Sequence, residues 1–385
     1  MPSAAAPGSP LRVLWVIKGL GPGGAERLLL SVAQIADPAA VRYEVAHVLP
    51  WKQHLVPELE QAGVRTHLLG GSRGLADPRW IARLRRLVRR ERFDVVHVHS
   101  PAVAAVVRPL LRTVRPRPLV VTTEHNVWTS HGRATRTANR LTHRFGDVHL
   151  SVSEEVARSM TAGLRPSSTV VVHGVDVDGL AARRAERAEA RAELGLADDE
   201  VAVVSVANLR ANKDHVTLLA AAASALDRAP ALRFLAVGQG PLEEELHGRA
   251  DALGLGSRFR FLGYQADPIR VLVAADVFTL SSRHEGLPIA LLEAMAVGVP
   301  AVVTAVGGVP SVVTDDVDGI VVPAADPAAL ADAYVALAED APRRARLGAA
   351  GQARVAAFGI ARAAREVEAH YAAAVTSAEG STPGR

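Results

Sequence analysis

Apolar positions along the chain fall into short β-branched runs separated by longer amphipathic stretches. In the first half the runs are Val13–Ile17, Tyr43–Leu49, Val95–His99, Leu119–Thr123, Val148–Val152 and Val170–Val172. In the second they are Val201–Ala207, Phe234–Val237, Phe259–Leu262, Val277–Leu280, Ala301–Thr304 and Ile320–Val322. Short runs of this kind read as strands, and the stretches between most of them carry apolar residues at helical spacing. Alternating strands and helices predict βαβ units and parallel sheets. Two such sets predict an α/β protein with two doubly wound domains.

The change from one set to the other lies between Asp178 and Glu200, where "AARRAERAEARAEL" predicts an exposed helix and "GLADDE" a turn. The expected organisation is a loose tail over 1–10, a Rossmann-like domain over 11–178 and a second over 179–358. A closing helix over 359–378 can pack on either domain, with a return to the first as one arrangement, and 379–385 are expected to form a disordered tail.

At 385 residues the chain exceeds what one core holds. Hydrophobic residues make up 49% but aromatics only 4%, so Val, Ala and Leu must fill the cores, which suits parallel sheets covered on both faces. There is no cysteine, which excludes disulfides, thiolate metal sites and a cysteine nucleophile. "MPSAAAPGSP" lacks the apolar core of a signal peptide, and no apolar run reaches the ~18 residues of a membrane span. These features lead to the expectation of a cytoplasmic protein.

The net charge of +4 is unevenly placed. "PRWIARLRRLVRRER" holds seven arginines and one glutamate, with Trp80/Ile81, Leu84 and Leu87/Val88 at helical spacing. This basic amphipathic helix, Arg79–Arg92, is either a solvated outer face or a surface attracted to anionic lipid headgroups. No aromatic stacking positions accompany the arginines, which argues against a nucleic-acid partner.

Ligands of open parallel sheets sit outside the carboxyl ends of the strands, so the residues after each strand carry the chemistry. "GLGPGGAERLLL" spells G-x-G-x-x-G at Gly19, Gly21 and Gly24. A dinucleotide site also needs an acid at the end of the second strand, and that strand ends in "LPWK". The fingerprint therefore fails its context, which argues against a nicotinamide or flavin enzyme. What survives is a strand-to-helix turn at Gly23, Gly24 and Glu26 that exposes backbone N–H groups to an anion or a hydroxyl-rich ligand.

In "SSRHEGLPIALLEAMAVGVP", Pro288 is placed to open a buried helix, with Glu285 in the loop before it and Glu293 inside it. A carboxylate in such a helix needs hydrogen-bond donors, which ligand hydroxyls would supply. The N–H groups of Gly286 and Leu287 are candidates for phosphate oxygens. "SVANLRANKDH" places Asn208, Arg210 and Lys213 in another strand-to-helix loop, where two cations make a diphosphate clamp without a metal. Glycine turns at Gly238–Gly240 and Gly307/Gly308 suggest backbone closely approaching a ligand. His97 and His99 end one strand, His125 follows the next in "TTEHN", and His173 follows a later one. H-x-H can bind zinc, but no acidic partner set accompanies it, and a polar contact of His125 with a sugar or acceptor is the better reading. Asp315–Gly319, "DDVDG", reads as a turn with Gly319 at the bend.

Taken in order, "GGAER", "HVHS", "TEHN", "HGVD", "NLRANKDH", "GQGP", "SSRHEGLPIALLEAMAVGVPAV" and "VGGVP" resemble glycosyltransferase family 4 from about Leu11 to Val322. That resemblance implies the GT-B fold, two facing Rossmann-like domains with a cleft between them. It implies retaining transfer of a sugar from a nucleotide donor to an acceptor hydroxyl, with no cofactor and no essential metal. Partners would be a nucleotide-sugar donor and a glycan, lipid-linked or small-molecule acceptor.

Carried onto this sequence, Glu285 would contact the donor sugar, Glu293 the ribose, and Arg210 and Lys213 the diphosphate. Asn208, Gly238, Gly240, Gly286, Leu287 and Pro288 would line the donor site. His125 would approach the sugar from the other domain, with Gly23, Gly24, Glu26 and His99 at the acceptor side. The sequence departs from the family's habit at Asn208 (often Arg), His173 (usually Asn) and Ser311 (often Glu). A nucleotide-sugar epimerase, which shares the fold, is the nearest enzymatic alternative.

Overall fold

The computed structural model describes residues 9–380. The expected tails lie mostly outside the described residues. The chain forms two compact units: one runs to Gly174 and resumes at Ile360, and the other is Val175–Gly359.

The first unit is built on strands β1 (Leu11–Ile17), β2 (Val41–His47), β3 (Arg65–Leu68), β4 (Val95–Val98), β5 (Leu119–Glu124), β6 (Val148–Ser151) and β7 (Ser168–Val170). They pair in the order β3-β2-β1-β4-β5-β6-β7, all parallel. The second contains β8 (Val201–Val206), β9 (Leu232–Val237), β10 (Phe259–Gly263), β11 (Val277–Leu280), β12 (Ala301–Thr304) and β13 (Ile320–Val322). Their order is β10-β9-β8-β11-β12-β13, again parallel.

Alternation along β1 shows why a sheet of this kind needs two cores. Val13, Trp15 and Ile17 enter one apolar cluster with Leu29, Tyr43 and, from the closing helix, Tyr371. Leu14 and Val16 enter the other with Trp80, Leu84, Leu87 and Val88 of the basic helix. That helix spans Arg79–Glu91 and ends at Arg92 in the left-handed conformation. Its apolar stripe belongs to the core, at about 1.5–3 kcal/mol for each large side chain fully buried. The closing helix, Ile360–Gly380, runs two residues into the stretch expected to be a tail.

Four local expectations are corrected. Strand β3 is absent from the sequence reading. It is an edge strand whose residues are half-buried or exposed, and "RTHL" offers no apolar run. The Ala/Arg/Glu-rich segment is not one exposed helix but the helix Val177–Ala182, a 3-10 turn and the helix Arg187–Glu193. Two of its arginines turn inward: Arg187 and Arg191 pair with the two carboxylate oxygens of Asp276 at 2.6 and 2.9 Å, and Arg191 is buried. Pro288 caps the helix Ile289–Ala296 from outside rather than opening it. In the 315–319 turn the left-handed residue is Asp316 (φ 54°), not Gly319.

Candidate functional site

Both sheets change winding direction next to their first strand, between β1 and β4 and between β8 and β11. Such switch points open a crevice at the carboxyl ends of the strands. The sequence-selected residues of the second unit gather at its switch point. The loop after β8 forms a 3-10 turn, Ala211–Lys213, and reaches the helix His215–Arg228 through Asp214. The loop after β11 carries Ser281 to Pro288.

These two loops are bound together by charge and hydrogen bonds. Lys213 Nζ meets Glu285 Oε1 at 2.5 Å, with Glu285 only 6% exposed, and Ser282 Oγ donates to the same oxygen at 2.6 Å. Ser281 Oγ donates to the carbonyls of Lys213 and Asp214 at 3.0 Å. Asp214, buried and left-handed (φ 48°), accepts from Arg283 Nε at 2.7 Å and Thr217 Oγ1 at 2.8 Å. Left-handed non-glycine residues cost free energy and are held by the surrounding structure, often at functional sites. Sequence reasoning placed Lys213 and Glu285 on separate ligand groups and missed their pairing. It also missed Ser282, whose only local signal is the Ser–Ser doublet three residues before Glu285.

The remaining second-unit residues surround this pair or lie in adjoining loops. Gly286, Leu287 and Pro288 are buried, Asn208 and Glu293 are half-buried, and Arg210 is exposed. Gly238 and Gly240 have a different reason from the one expected. A Cβ at either would overlap a carbonyl oxygen of the 207–209 loop, and Gly238 sits at φ 143°. Gly307 (φ 60°) leaves room for the carbonyl oxygen of Glu285, and Gly308 N–H donates to Gly286 O at 2.7 Å. These glycines let loop pack on loop, and so fix where Glu285 lies.

In the first unit, Gly23 precedes the helix Gly24–Ile35, and the Glu26 carboxylate folds back over it. Gly19, two residues past β1, lies against the Lys52 side chain. At the β1/β4 switch point the Lys18 N–H donates to Ser100 Oγ at 2.9 Å. Beside it stand four histidines. His97 is fixed by Tyr371 OH at 2.6 Å and Thr123 Oγ1 at 2.7 Å. His99 Nδ1 lies 3.1 Å from His125 Nε2, and His125 Nδ1 lies 3.2 Å from His173 Nε2. Both ring nitrogens of His125 are thus engaged by other histidines. Among the described residues, no group of three or more His, Asp or Glu is arranged to hold a metal ion, and no helix is long and apolar enough to cross a membrane.

Comparison with known proteins decides the family. The model for glycosyltransferase family 4 matches residues 22–178, and the model for group 1 glycosyl transferases matches 186–354. The chain is 33% identical over 290 residues to a GDP-mannose-dependent alpha-(1-6)-phosphatidylinositol monomannoside mannosyltransferase of Mycolicibacterium smegmatis, covering 72% of this chain and 76% of that protein. The chain belongs to the group 1 glycosyltransferases of family 4.

A second relative of this glycosyltransferase is the D-inositol 3-phosphate glycosyltransferase of Nocardia farcinica, 37% identical over 213 residues, 52% of this chain and 47% of that protein. Among solved structures, Anabaena HepE in complex with UDP-glucose superposes with a TM-score of 0.84 at 22% identity, covering 94% of this chain and all of that one. WaaG, a glycosyltransferase involved in lipopolysaccharide biosynthesis, superposes at 0.73 and 15% identity, covering 93% and 98%. The fold is GT-B, with a parallel-sheet α/β domain in each unit.

Burial keeps six of the first unit's histidines neutral. It takes His97 and His149 down to about 3 and His125 and His143 to about 4, and holds His99 and His173 well below the usual imidazole value. Unfolded histidines protonate near 6.5, so below that pH the unfolded chain binds protons that the folded one does not. This stabilisation is complete above about pH 6.5 and is lost as the pH falls toward 4, by about 1.4 kcal/mol per pH unit for each such histidine. All four tryptophans lie at positions 15, 51, 80 and 128, so fluorescence follows the first unit. Its urea midpoint is expected to fall steeply between pH 6.5 and 4.5; a flat profile there would contradict the neutral assignment.

Proposed function

We propose that this glycosyltransferase moves a sugar from a nucleoside-diphosphate donor to an acceptor hydroxyl with retention and without a metal, in the assembly of envelope glycolipid or exopolysaccharide. The observation that carries the reading is the Lys213–Glu285 pair at the β8/β11 switch point. An ammonium has three N–H groups and Glu285 takes one, leaving donors for diphosphate oxygens, while the carboxylate accepts from sugar hydroxyls. Arg210 adds a second, exposed cation. Glu293 is assigned to the ribose, and Gly286, Leu287 and Pro288, with Asn208, Gly238 and Gly240, to shaping the donor site. In the first unit, Gly23, Gly24, Glu26, His99 and His125 are assigned to the acceptor end of the reaction.

In the step itself, the bond from the acceptor oxygen to the anomeric carbon forms as that carbon's bond to the diphosphate oxygen breaks. The acceptor proton passes to the departing phosphate. Negative charge grows on the diphosphate, where Lys213 and Arg210 stabilise it. No carboxylate is assigned to the opposite face of the sugar, so front-side attack, rather than double displacement, accounts for retention. The relatives support the donor class: one is named for its dependence on GDP-mannose, and HepE is described in complex with UDP-glucose.

Lys213→Ala and Glu293→Ala are each expected to lower the transfer rate by ~10²-fold or more. Product analysis should show free nucleotide released in step with glycosylated acceptor. Near-wild-type transfer by both variants would remove the assignment, and a new nucleotide sugar without acceptor glycosylation would point to epimerisation instead.

A soluble acceptor is the second reading, favoured by the likeness to the D-inositol 3-phosphate glycosyltransferase. The basic helix separates the two. Arg85, Arg86, Arg89 and Arg92 are exposed, whereas the helix's apolar stripe is committed to the core. Contact with a membrane is therefore purely electrostatic and screened over a Debye length of about 8 Å at physiological salt. Binding to phosphatidylglycerol-containing vesicles at low salt, lost in the Arg85/Arg86/Arg89→Ser variant and weakened by added salt, is expected for a peripheral enzyme with a lipid-linked acceptor. No binding at low salt would favour the soluble acceptor.

A further inference from the structure

We propose that His99 and His173 are positioning residues that lock the His125 ring in one tautomer, with its proton on Nδ1. The inference rests on the transferase reading only for where His125 acts. The three rings come from the ends of three strands: His99 just after β4, His125 just after β5 and His173 shortly after β7. Ring centroids are 5.4 Å apart for His99–His125 and 5.0 Å for His125–His173. The two nitrogen–nitrogen contacts, 3.1 and 3.2 Å, use both nitrogens of the central ring.

A neutral imidazole donates from one nitrogen and accepts at the other. In a chain of three neutral rings, placing one proton therefore places all of them. The buried end makes the choice. His99 Nε2 is buried and has no hydrogen-bond partner among the described residues. His99 lines a small, mainly apolar cavity with Leu28, Leu29, Val32 and Ala363. An N–H left without an acceptor is the rarer kind of unsatisfied buried group, and a bare lone pair is the better tolerated one.

His99 therefore carries its proton on Nδ1 and donates to His125 Nε2. His125 then carries its own on Nδ1 and donates to His173 Nε2, which leaves the His173 proton on Nδ1 as well. The His99 ring itself rests 4.0 Å from that of His97, which Tyr371 and Thr123 hold from both sides. A ligand hydroxyl reaches a His125 nitrogen only by displacing a neighbouring histidine.

The test is ring-nitrogen NMR of the full-length protein labelled with 15N-histidine, at pH 7.5 and without ligand. All three rings are expected as Nδ1–H. His99→Leu leaves the His125 Nε2 lone pair bare, the tolerated arrangement, so His125 and His173 are both expected to stay Nδ1–H. In the double variant His99→Ser/His173→Ser both ring partners are gone and hydroxyl or water can take either role, so His125 is expected to lose its single tautomer and to show averaged ring-nitrogen shifts. Wild-type His125 with its proton on Nε2, or an unchanged single Nδ1–H pattern in a folded double variant, would overturn the proposal. Should the double variant not fold, the wild-type rings decide alone: Nδ1–H in all three supports the chain, and Nε2–H in any of them overturns it.

Turnover of UDP-glucose or GDP-mannose, whichever the protein uses, is read separately. A fall in kcat of roughly tenfold in His99→Ser/His173→Ser, absent in His99→Leu and with donor KM unchanged, places the locked ring at the reaction. The expected tautomers with unaltered turnover would leave the chain standing and remove His125 from the transferase assignment.

Discussion

A parallel sheet wound outward from a central strand must reverse its crossovers once, and at that point two neighbouring strands send their loops apart. Here the pairs are β1/β4 and β8/β11. The reversal leaves polar loop backbone beside the ends of fully buried strands, where it must be satisfied by short-range contacts. The second unit meets this demand with Ser281, whose hydroxyl donates to the carbonyls of Lys213 and Asp214, and the first with Ser100, which accepts from the Lys18 N–H. The polar side chains beside each switch point are themselves hydrogen-bonded to one another. Preorganised donors and charges of this kind stabilise developing charge without reorganising during the reaction.

Pairing Lys213 with Glu285 has a second consequence. Either group alone, at this depth, would be a costly unpaired charge. Together they place a cation and a carboxylate 2.5 Å apart, and the proposed donor site rests on that pair. The glycines at 238, 240 and 307 serve this arrangement indirectly. They let neighbouring loop backbones touch, so that the position of Glu285 is set by packing on Gly307 and not by the loop's own conformational preference.

Much of this could be read from the sequence where the signal was local. The strands ending at Ile17, Val98, Val237, Leu280 and Thr304 are short, mostly apolar runs. Glu293 stood out because an apolar helix has no other use for a carboxylate, and Glu285 because it stands in the loop just before that helix. The misses share a cause: they depend on contacts distant in sequence. Strand β3 exists because β2 has an open edge, not because "RTHL" favours extension. The arginines of the 183–191 segment read as a solvated face, yet Asp276 draws Arg187 and Arg191 inward. H-x-H spacing put His97 and His99 on one side of β4, but nothing near them in the chain announces His173 or Tyr371.

The most direct measurement of the central claim, that the second unit's charged switch point is a nucleotide-sugar site, is thermal unfolding against a panel of nucleoside-diphosphate sugars. It should be run on the wild type and on Glu293→Ala. At about a thousandfold excess over Kd, a bound donor stabilises the folded chain by about 4 kcal/mol. One donor, or one base with several sugars, is expected to raise the unfolding temperature of the wild type, and the rise should be lost in Glu293→Ala. No response to any member of the panel, or an equal rise in the variant, would contradict the site.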